Sequence, residues 1–186
     1  MSAIWRKAAG ACRRMRNFVC GWKFAECHYT SYMGRTLRVV GANHIHIGKR
    51  VLANDGLRME AISAWGGKLY TPSINIGDDV AFRQGCHITC ACSIDIGHDT
   101  NIMPYVLITD LEHCYELGKN IGYTGINVGS VTIGNYVSVG MGARILGKSN
   151  IAIGENAVIG ANAIITKNVP DRAIVVGNGK IIGYVE

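Results

Sequence analysis

The side chains best suited to chemistry near neutral pH are six histidines and seven cysteines. One histidine, His113, lies in a polar segment, residues 109–130, that interrupts an otherwise regular sequence pattern. Neutral imidazole can accept a proton near pH 7, and long loops inside compact domains usually carry function. His113 is therefore the first candidate for a chemical role, and a solvated loop histidine is the alternative.

The cysteines do not form a disulfide framework, because their number is odd and their spacing irregular. Free thiols are typical of a reducing compartment, so we expect a cytoplasmic protein. Two of them, Cys86 and Cys92, stand where the repeat described below requires a small residue, which is a sufficient reason for their presence.

The pattern that residues 109–130 interrupt is an internal repeat. Four similar tetrapeptides begin at residues 74, 94, 131 and 151, each an aliphatic residue, a variable residue, isoleucine and glycine. The first and second are 20 residues apart, as are the third and fourth. An earlier copy at residues 45–48 starts 29 residues before the first, which is one period plus an insertion. Such self-similarity indicates a repeat architecture.

Each period contains a six-residue pattern, in which an aliphatic or aromatic residue is followed four places later by a small or aliphatic one. Examples are Ile76 with Val80, Phe82 with Cys86 and Ile153 with Ala157. Three short strands with a turn after each would make one triangular coil, and coils must stack to bury their inner faces. The sequence therefore predicts an all-β parallel β-helix. An ordinary antiparallel sheet would not explain glycine at the same phase of a 20-residue period.

Two segments break the pattern inside the β-helix, and the ends of the chain lie outside it. We expect insertions at residues 57–73 and 109–130. The predicted organisation is an N-terminal helix and connector at 1–44, the β-helix at 45–170 and a C-terminal extension at 171–186.

The N-terminal segment is basic and amphipathic. Apolar residues recur at helical spacing over residues 3–23, and much of the net charge of +6 is concentrated in the first two dozen residues. Such a helix packs on the β-helix or a neighbouring subunit, or makes peripheral contact with an anionic membrane through residues 1–24. No nucleic-acid recognition motif, signal peptide or membrane-spanning stretch is visible.

These motifs resemble the hexapeptide-repeat acyltransferases, and within them the galactoside/maltose and capsular-polysaccharide O-acetyltransferases. The resemblance covers about residues 45–183. It is carried by the loop with His113, by the segment 131–143 and, most specifically, by the tail 157–170. It implies a left-handed β-helix and a homotrimer with active sites between subunits. It also implies acetyl-CoA as donor and a hydroxyl of a sugar or polysaccharide precursor as acceptor.

The resemblance also implies roles for individual residues. His113 would be the general base, oriented by Asp110, Glu112 or a backbone carbonyl, and the amide of Met141 would stabilise the oxyanion. Gly142 and Ala161 match positions that line the pantetheine slot. The nucleotide end of the cofactor would meet Thr166 and Lys167 and, on weaker grounds, Lys180.

The acceptor would be contacted by Asp110 and by residues of the coil before the loop, namely Arg83, Gln84 and His87. His87 could equally be a satisfied structural residue. The chain departs from the family pattern at Leu111 and Ser138, where relatives often carry histidine and tryptophan, and in a shorter closing turn at residues 177–180.

Three other functions remain open from the residues. The first is N-acetylation of an amino sugar, and the second is a non-catalytic trimeric β-helix scaffold. The third is a metal hydratase of the γ-carbonic-anhydrase type, which needs three histidines around zinc, two of them close in sequence. No histidine follows closely after His113, and His87 and His98 lack the paired spacing, so we expect no metal.

Overall fold

Three short parallel strands and the turns between them form each coil of the chain, and the coils stack into a three-sided β-helix. The computed structural model describes residues 24–35 and 38–186. Face 1 consists of Glu26–Cys27, Ile45–Ile47, Ser73–Ile76, Ser93–Ile96, Ser130–Ile133 and Ile151–Ile153. Face 2 consists of Tyr32–Met33, Leu52–Ala53, Ala81–Phe82, Asn101–Ile102, Ser138–Val139, Val158–Ile159, Ala173–Val176 and Lys180–Tyr184. Face 3 consists of Arg38–Val40, Arg58–Ala61, His87–Cys90, Leu107–Thr109, Arg144–Leu146 and Ile164–Ile165.

The structure also contains two hairpins and two short 3-10 helices outside these faces. The first hairpin pairs Ala64–Trp65 with Lys68–Leu69, and the second pairs Leu111–His113 with Ile126–Val128. The 3-10 helices are Ala42–His44 and Ile121–Tyr123. No helix of the described ranges has the length and apolarity to cross a bilayer.

The core is a set of stacked aliphatic columns. On face 1 one column aligns equivalent residues of five successive coils, all of them at most 2% exposed: Ile45, Ile74, Ile94, Val131 and Ile151. Each coil has an open apolar interior that only the next coil can cover, so burial of these side chains drives the stacking.

The repeated glycine is explained by close contact between coils and not by a positive φ. Gly77, Gly97 and the equivalent glycines adopt ordinary φ values. A Cβ on Gly77 would lie 2.8 Å from the backbone nitrogen of His98 in the next coil, so glycine here permits close stacking. The left-handed conformation falls two residues later, at Asp79 and Asp99 among others.

The β-helix is longer than the sequence predicted. Residues 24–44, which were expected to be a connector, contain the strands of the first complete coil, and Ala173–Val176 stacks on Val158–Ile159. Residues 57–61 and 73 belong to regular coils, so the first insertion comprises only residues 62–72. The helix predicted at residues 3–23 lies outside the described residues.

Candidate active site

The second insertion leaves the coil and returns to it without a shift of register. Its strands Leu111–His113 and Ile126–Val128 are antiparallel, and the N–H of Gly129 donates to the carbonyl of Asp110 at 2.7 Å. Leu107 before the loop pairs with Arg144 after it, so face 3 continues. The tip is held by Thr124, whose buried hydroxyl donates to the carbonyl of Cys114 at 2.6 Å. The loop is thus an ordered hairpin that projects from face 3.

Asp110 anchors this hairpin at its base. The side chain is 0% exposed, and its two oxygens accept hydrogen bonds from the N–H groups of Ala91 and Cys92, both at 2.8 Å. The thiol of Cys90 donates to the same carboxylate at 3.2 Å. Burial raises the pKa of Asp110, while the two amides act in the opposite direction. Asp110 has no oxygen to offer to a sugar, so the structure gives it a structural role instead of the expected contact with the acceptor.

The two insertions touch each other. A Cβ on Gly66, at the tip of the 62–72 hairpin, would lie 2.5 Å from the carbonyl oxygen of Thr124 in the second loop. Gly66 also has a φ of +56°, which a side chain would disfavour for a second reason. Such close packing encloses a space between the two insertions and the outer surface of face 3.

That space is a cavity of about 430 Å³, and we call it the face 3 cavity. Its floor is polar and comes from the coils, whereas its walls come mainly from the two insertions. The floor includes Arg58, Glu60, His87, Thr89 and Thr109, and the walls include Trp65, Leu111, His113, Tyr115 and Ile126. A polar floor with apolar and aromatic walls is typical of pockets for small polar ligands.

A network of charged and polar side chains organises the floor. The carboxylate of Glu60, whose side chain is 9% exposed, accepts from Arg58 at 2.7 Å and from Arg38 at 3.3 Å. The Nε2 atom of His87 lies 3.3 Å from Glu60 Oε2 and 2.8 Å from Thr89 Oγ1. Burial raises the pKa of Glu60, but the hydrogen bonds from Arg58 and His87 outweigh it, and the net pKa lies below the ordinary value. Glu60 is therefore an anion that holds Nε2 of His87 against the floor.

His113 lies in the opposite wall and is held differently. Its ring centroid is 4.9 Å from that of Trp65, with an angle of 57° between the planes. Its Nδ1 atom is buried and makes no hydrogen bond within the described residues, so Nε2 is the nitrogen that can exchange a proton with a ligand. Neither carboxylate proposed from the sequence orients the ring, because Asp110 is engaged below the loop and Glu112 pairs with Lys148 at 2.5 Å.

The residues expected to hold the acyl donor form a separate column at the corner between faces 2 and 3. Asn162 N–H donates to the carbonyl of Met141 at 2.8 Å, and Gly142 N–H donates to that of Pro104 at 2.9 Å. Ala161 is exposed one coil beyond Met141. The N–H of Met141 makes no hydrogen bond to any described residue, so it is available as a donor. Gly142 has a φ of +69°, and a Cβ there would lie 2.4 Å from Asn162 Oδ1.

Arg83 and Gln84 lie at the same corner, in an earlier coil. The carbonyl of Gln84 accepts from Tyr105 N–H at 3.0 Å, which continues the ladder of corner hydrogen bonds. Of the three coil residues expected to meet the acceptor, only His87 lines the face 3 cavity. Arg83 and Gln84 are placed with the donor column instead.

Thr166 and Lys167 line a second cavity, of about 280 Å³, at the C-terminal end of the β-helix. Asn178, Gly179 and Ile181 form its other side. Lys180 is exposed at the start of the last strand and does not line this cavity. An anionic group bound in this cavity would lie beside the ammonium of the exposed Lys167.

The sequence did not single out Arg58, Glu60, Trp65 or Thr89 as site residues. The available signal was Glu60, an acid in a segment that otherwise continues an apolar repeat, and the insertion that carries Trp65. Their grouping depends on coils that stack residues 27 to 29 positions apart, as in the pairing of Arg58 with His87 and the contact of Glu60 with His87. Within residues 24–35 and 38–186, no three histidine, cysteine, aspartate or glutamate side chains are grouped to hold a metal ion.

Comparison with known proteins supports the fold. No family model matches the chain. AntD, an N-acyltransferase from Bacillus cereus solved with dTDP and 3-hydroxybutyryl-CoA, aligns at 15% identity over 92% of this chain and 88% of its own, with a TM-score of 0.76. The chain has the fold of the hexapeptide-repeat acyltransferases.

Two further structures agree with this conclusion. A maltose O-acetyltransferase from Clostridium difficile 630 aligns at 25% identity over 83% of this chain and 66% of its own, with a TM-score of 0.53. A hexapeptide-repeat acetyltransferase from Vibrio cholerae aligns at 18% identity over 94% of this chain and 81% of its own, with a TM-score of 0.55. The predicted all-β, left-handed parallel β-helix is therefore confirmed, as is the resemblance to this group.

Proposed function

We propose that this protein is an acyltransferase that moves an acetyl group from acetyl-CoA to a hydroxyl of a sugar or polysaccharide precursor, with His113 as the general base. The observation that carries the proposal is the face 3 cavity, in which a loop ejected from the acyltransferase fold presents His113 over a polar floor. A polyhydroxylated acceptor fits this floor, because Arg58, Glu60, His87 and Thr89 offer both donors and acceptors.

In the proposed reaction, Nε2 of His113 takes the proton of the acceptor hydroxyl as its oxygen attacks the thioester carbonyl. The new C–O bond forms, the C–S bond breaks, and the imidazolium returns the proton to the thiolate of CoA. The free N–H of Met141 would stabilise the oxyanion, and the column of Gly142 and Ala161 would line the pantetheine arm. Phosphate groups would meet Lys167.

The donor column does not line the face 3 cavity of the same chain. We therefore propose a homotrimer, in which the corner of one subunit faces the cavity of its neighbour. The reaction would take place in the cytoplasm, which suits the free cysteines among the described residues. Peripheral membrane contact through residues 1–24 stays a prediction from the sequence.

N-acylation of a nucleotide-linked amino sugar is the second candidate. It is favoured by the fold similarity to AntD, which has been solved with dTDP-4-amino-4,6-dideoxyglucose and coenzyme A at 15% identity and a TM-score of 0.75. A neutral amine attacks a thioester without prior loss of a proton, so the base contributes less to this reaction than to O-acylation.

The test is an assay in which chromatography measures the release of CoA. The donors are acetyl-CoA and 3-hydroxybutyryl-CoA, and the acceptors include maltose and dTDP-4-amino-4,6-dideoxyglucose. We expect His113→Ala to lower kcat on a hydroxyl acceptor by about 10²–10⁴-fold, the usual contribution of a general base. His46→Ala is the matched control, because His46 is exposed on face 1.

Three results would count against the proposal. His113→Ala at the parent rate would remove the base assignment. Absence of CoA release with every donor and acceptor would favour the scaffold. A metal bound stoichiometrically by the wild-type protein, with hydratase activity, would favour the carbonic-anhydrase type.

A further inference from the structure

The 62–72 hairpin is the feature of the chain that the proposed mechanism leaves unused. It projects beside the loop that carries His113, and its Gly66 contacts Thr124 of that loop. It also places Trp65 in the wall of the face 3 cavity and against His113. Trp65, Tyr70 and His113 also contribute three of the four buried side-chain polar atoms that lack a hydrogen bond within the described residues. The hairpin and the loop therefore form a unit that packs by shape and ring contact rather than by hydrogen bonds.

A general base must keep its ring in a fixed orientation, and in most such sites a third group that is hydrogen-bonded to the imidazole does this. His113 has no such group among the described residues, since its Nδ1 atom is unpartnered and the neighbouring carboxylates are engaged elsewhere. Within residues 24–35 and 38–186, the one ring that contacts the imidazole is the indole of Trp65, at a centroid distance of 4.9 Å. A tilted aromatic pair at this distance is a favourable contact with a preferred geometry.

We propose that Trp65 is the positioning residue of the catalytic site: its indole ring, carried by the 62–72 hairpin, holds the imidazole of His113 in the orientation that proton transfer requires. This inference rests on the proposed role of His113 as base. The ring replaces the hydrogen-bonded partner that a catalytic histidine normally has. The hairpin is packed against the loop at a glycine, so the indole and the imidazole move together.

The proposal distinguishes the orientation of the His113 imidazole, which Trp65 would fix, from the proton transfer itself. Trp65 does not accept the proton and lies outside the donor column of its own chain, so we expect its loss to act on kcat more than on the KM for acetyl-CoA. Trp65→Phe keeps an aromatic ring at the wall, whereas Trp65→Leu keeps apolar volume without a ring. Leu69→Ala is the control within the same hairpin, because Leu69 is 87% exposed and lines no part of the cavity.

The experiment combines turnover with NMR of the full-length protein. We expect Trp65→Leu to lower kcat by about 10²-fold, the loss that misplacement of a catalytic group by about 1 Å can cause. Trp65→Phe should recover most of this loss, and Leu69→Ala should match the wild type. In ¹H–¹³C spectra, the His113 ring signals, assigned with His113→Gln, should lose their indole ring-current shift in Trp65→Leu.

The NMR arm does not depend on turnover, so failure of this inference and failure of the proposed function give different results. If wild-type protein transfers no acyl group but the His113 signals still move in Trp65→Leu, the ring contact stands and the function is wrong. If the signals do not move, or if Trp65→Leu keeps the parent kcat, Trp65 does not position His113. A rise in the KM for acetyl-CoA at constant kcat would also overturn the inference.

Discussion

The floor and the walls of the face 3 cavity each present a histidine, and the two histidines are held in opposite ways. His87, on the floor, has Nε2 beside Glu60 and Thr89, and Glu60 is anchored in turn by Arg58 and Arg38. His113, in the wall, has a buried Nδ1 without a partner and a ring contact to Trp65. The histidine with hydrogen-bond partners at Nε2 lies on the repeat, and the one whose Nδ1 has no partner among the described residues lies on an insertion.

The difference follows from the geometry of a repeat. A residue on a coil has a neighbour at a fixed distance in the coils on either side, so a polar side chain there meets a partner at a predictable place. Residues of an insertion have no such neighbour, so the repeat does not fix where their partners lie. A buried polar group without a hydrogen bond costs about 1–3 kcal/mol, and such groups are concentrated where function requires them.

The largest effect is expected from replacement of Asp110, the residue that anchors the loop to the coil. Asp110→Ala would leave the buried N–H of Ala91 and the partly buried N–H of Cys92 without their acceptor. We expect the free energy of unfolding to fall by about 3 kcal/mol, since each unsatisfied donor costs about 1–3 kcal/mol. Urea denaturation measures this change. CoA release should be lost as well, because the loop that carries His113 is no longer anchored to the coil.

The control for the anchor is Asp95→Ala. Asp95 is a half-buried aspartate on face 1 that accepts a hydrogen bond from Asn75 Nδ2 at 2.7 Å. We expect its replacement to cost about 1 kcal/mol or less, within the usual contribution of one hydrogen bond. Equal costs for the two substitutions would show that Asp110 is not a special anchor.

A smaller effect, with a distinctive pH dependence, is expected on the floor. The pKa of Glu60 is lower in the folded protein, so the stability that its ionised form contributes is fully present above the pKa of the unfolded chain. That contribution is lost as the pH falls through the folded value. Glu60→Gln should therefore lower the free energy of unfolding by about 2 kcal/mol at pH 7, as for hydrogen bonds to a charged group.

The same measurement at acid pH sharpens the comparison. As the pH falls through the lowered pKa of Glu60, its carboxylate is protonated and comes to resemble glutamine, so the difference between the two proteins should shrink. The pH dependence at Asp110 has the opposite sign. Burial raises the pKa of Asp110, so its contribution to the free energy of unfolding falls as the pH rises. A difference between Glu60→Gln and wild type that stayed constant from neutral pH through the whole acid range in which the protein is folded would show that the charge of Glu60 does not organise the floor.

The smallest effect is expected at the outer edge of the loop. Lys148 and Glu112 form an ion pair at 2.5 Å, but their side chains are 52% and 42% exposed. Exposed pairs contribute about 0–1 kcal/mol because solvent screens them, so Lys148→Ala should change stability and turnover little. A loss as large as that of Asp110→Ala would mean that the ion pair, and not the buried anchor, holds the loop.

Part of the site could be predicted from the sequence. The interruption of the repeat directed attention to His113, and the resemblance assigned Met141 and Ala161 to the donor site. The structure places these two residues on successive coils. The partners of His113 could not be predicted, because Trp65 and His113 come from two insertions that no repeat aligns. Asp110 was misjudged for a related reason: its burial depends on the turn at Ala91 and Cys92 in the preceding coil.

The sequence by itself determined the coil, because a fixed period of inward-facing aliphatic residues leaves stacking as the way to bury them. It also indicated where the coil opens, as insertions at residues 57–73 and 109–130, although the structure confines the first of them to residues 62–72. Only the tertiary structure decided what the insertions build. They meet through a glycine contact and a pair of rings, and such contacts between segments far apart in the chain depend on shape in three dimensions rather than on spacing along it.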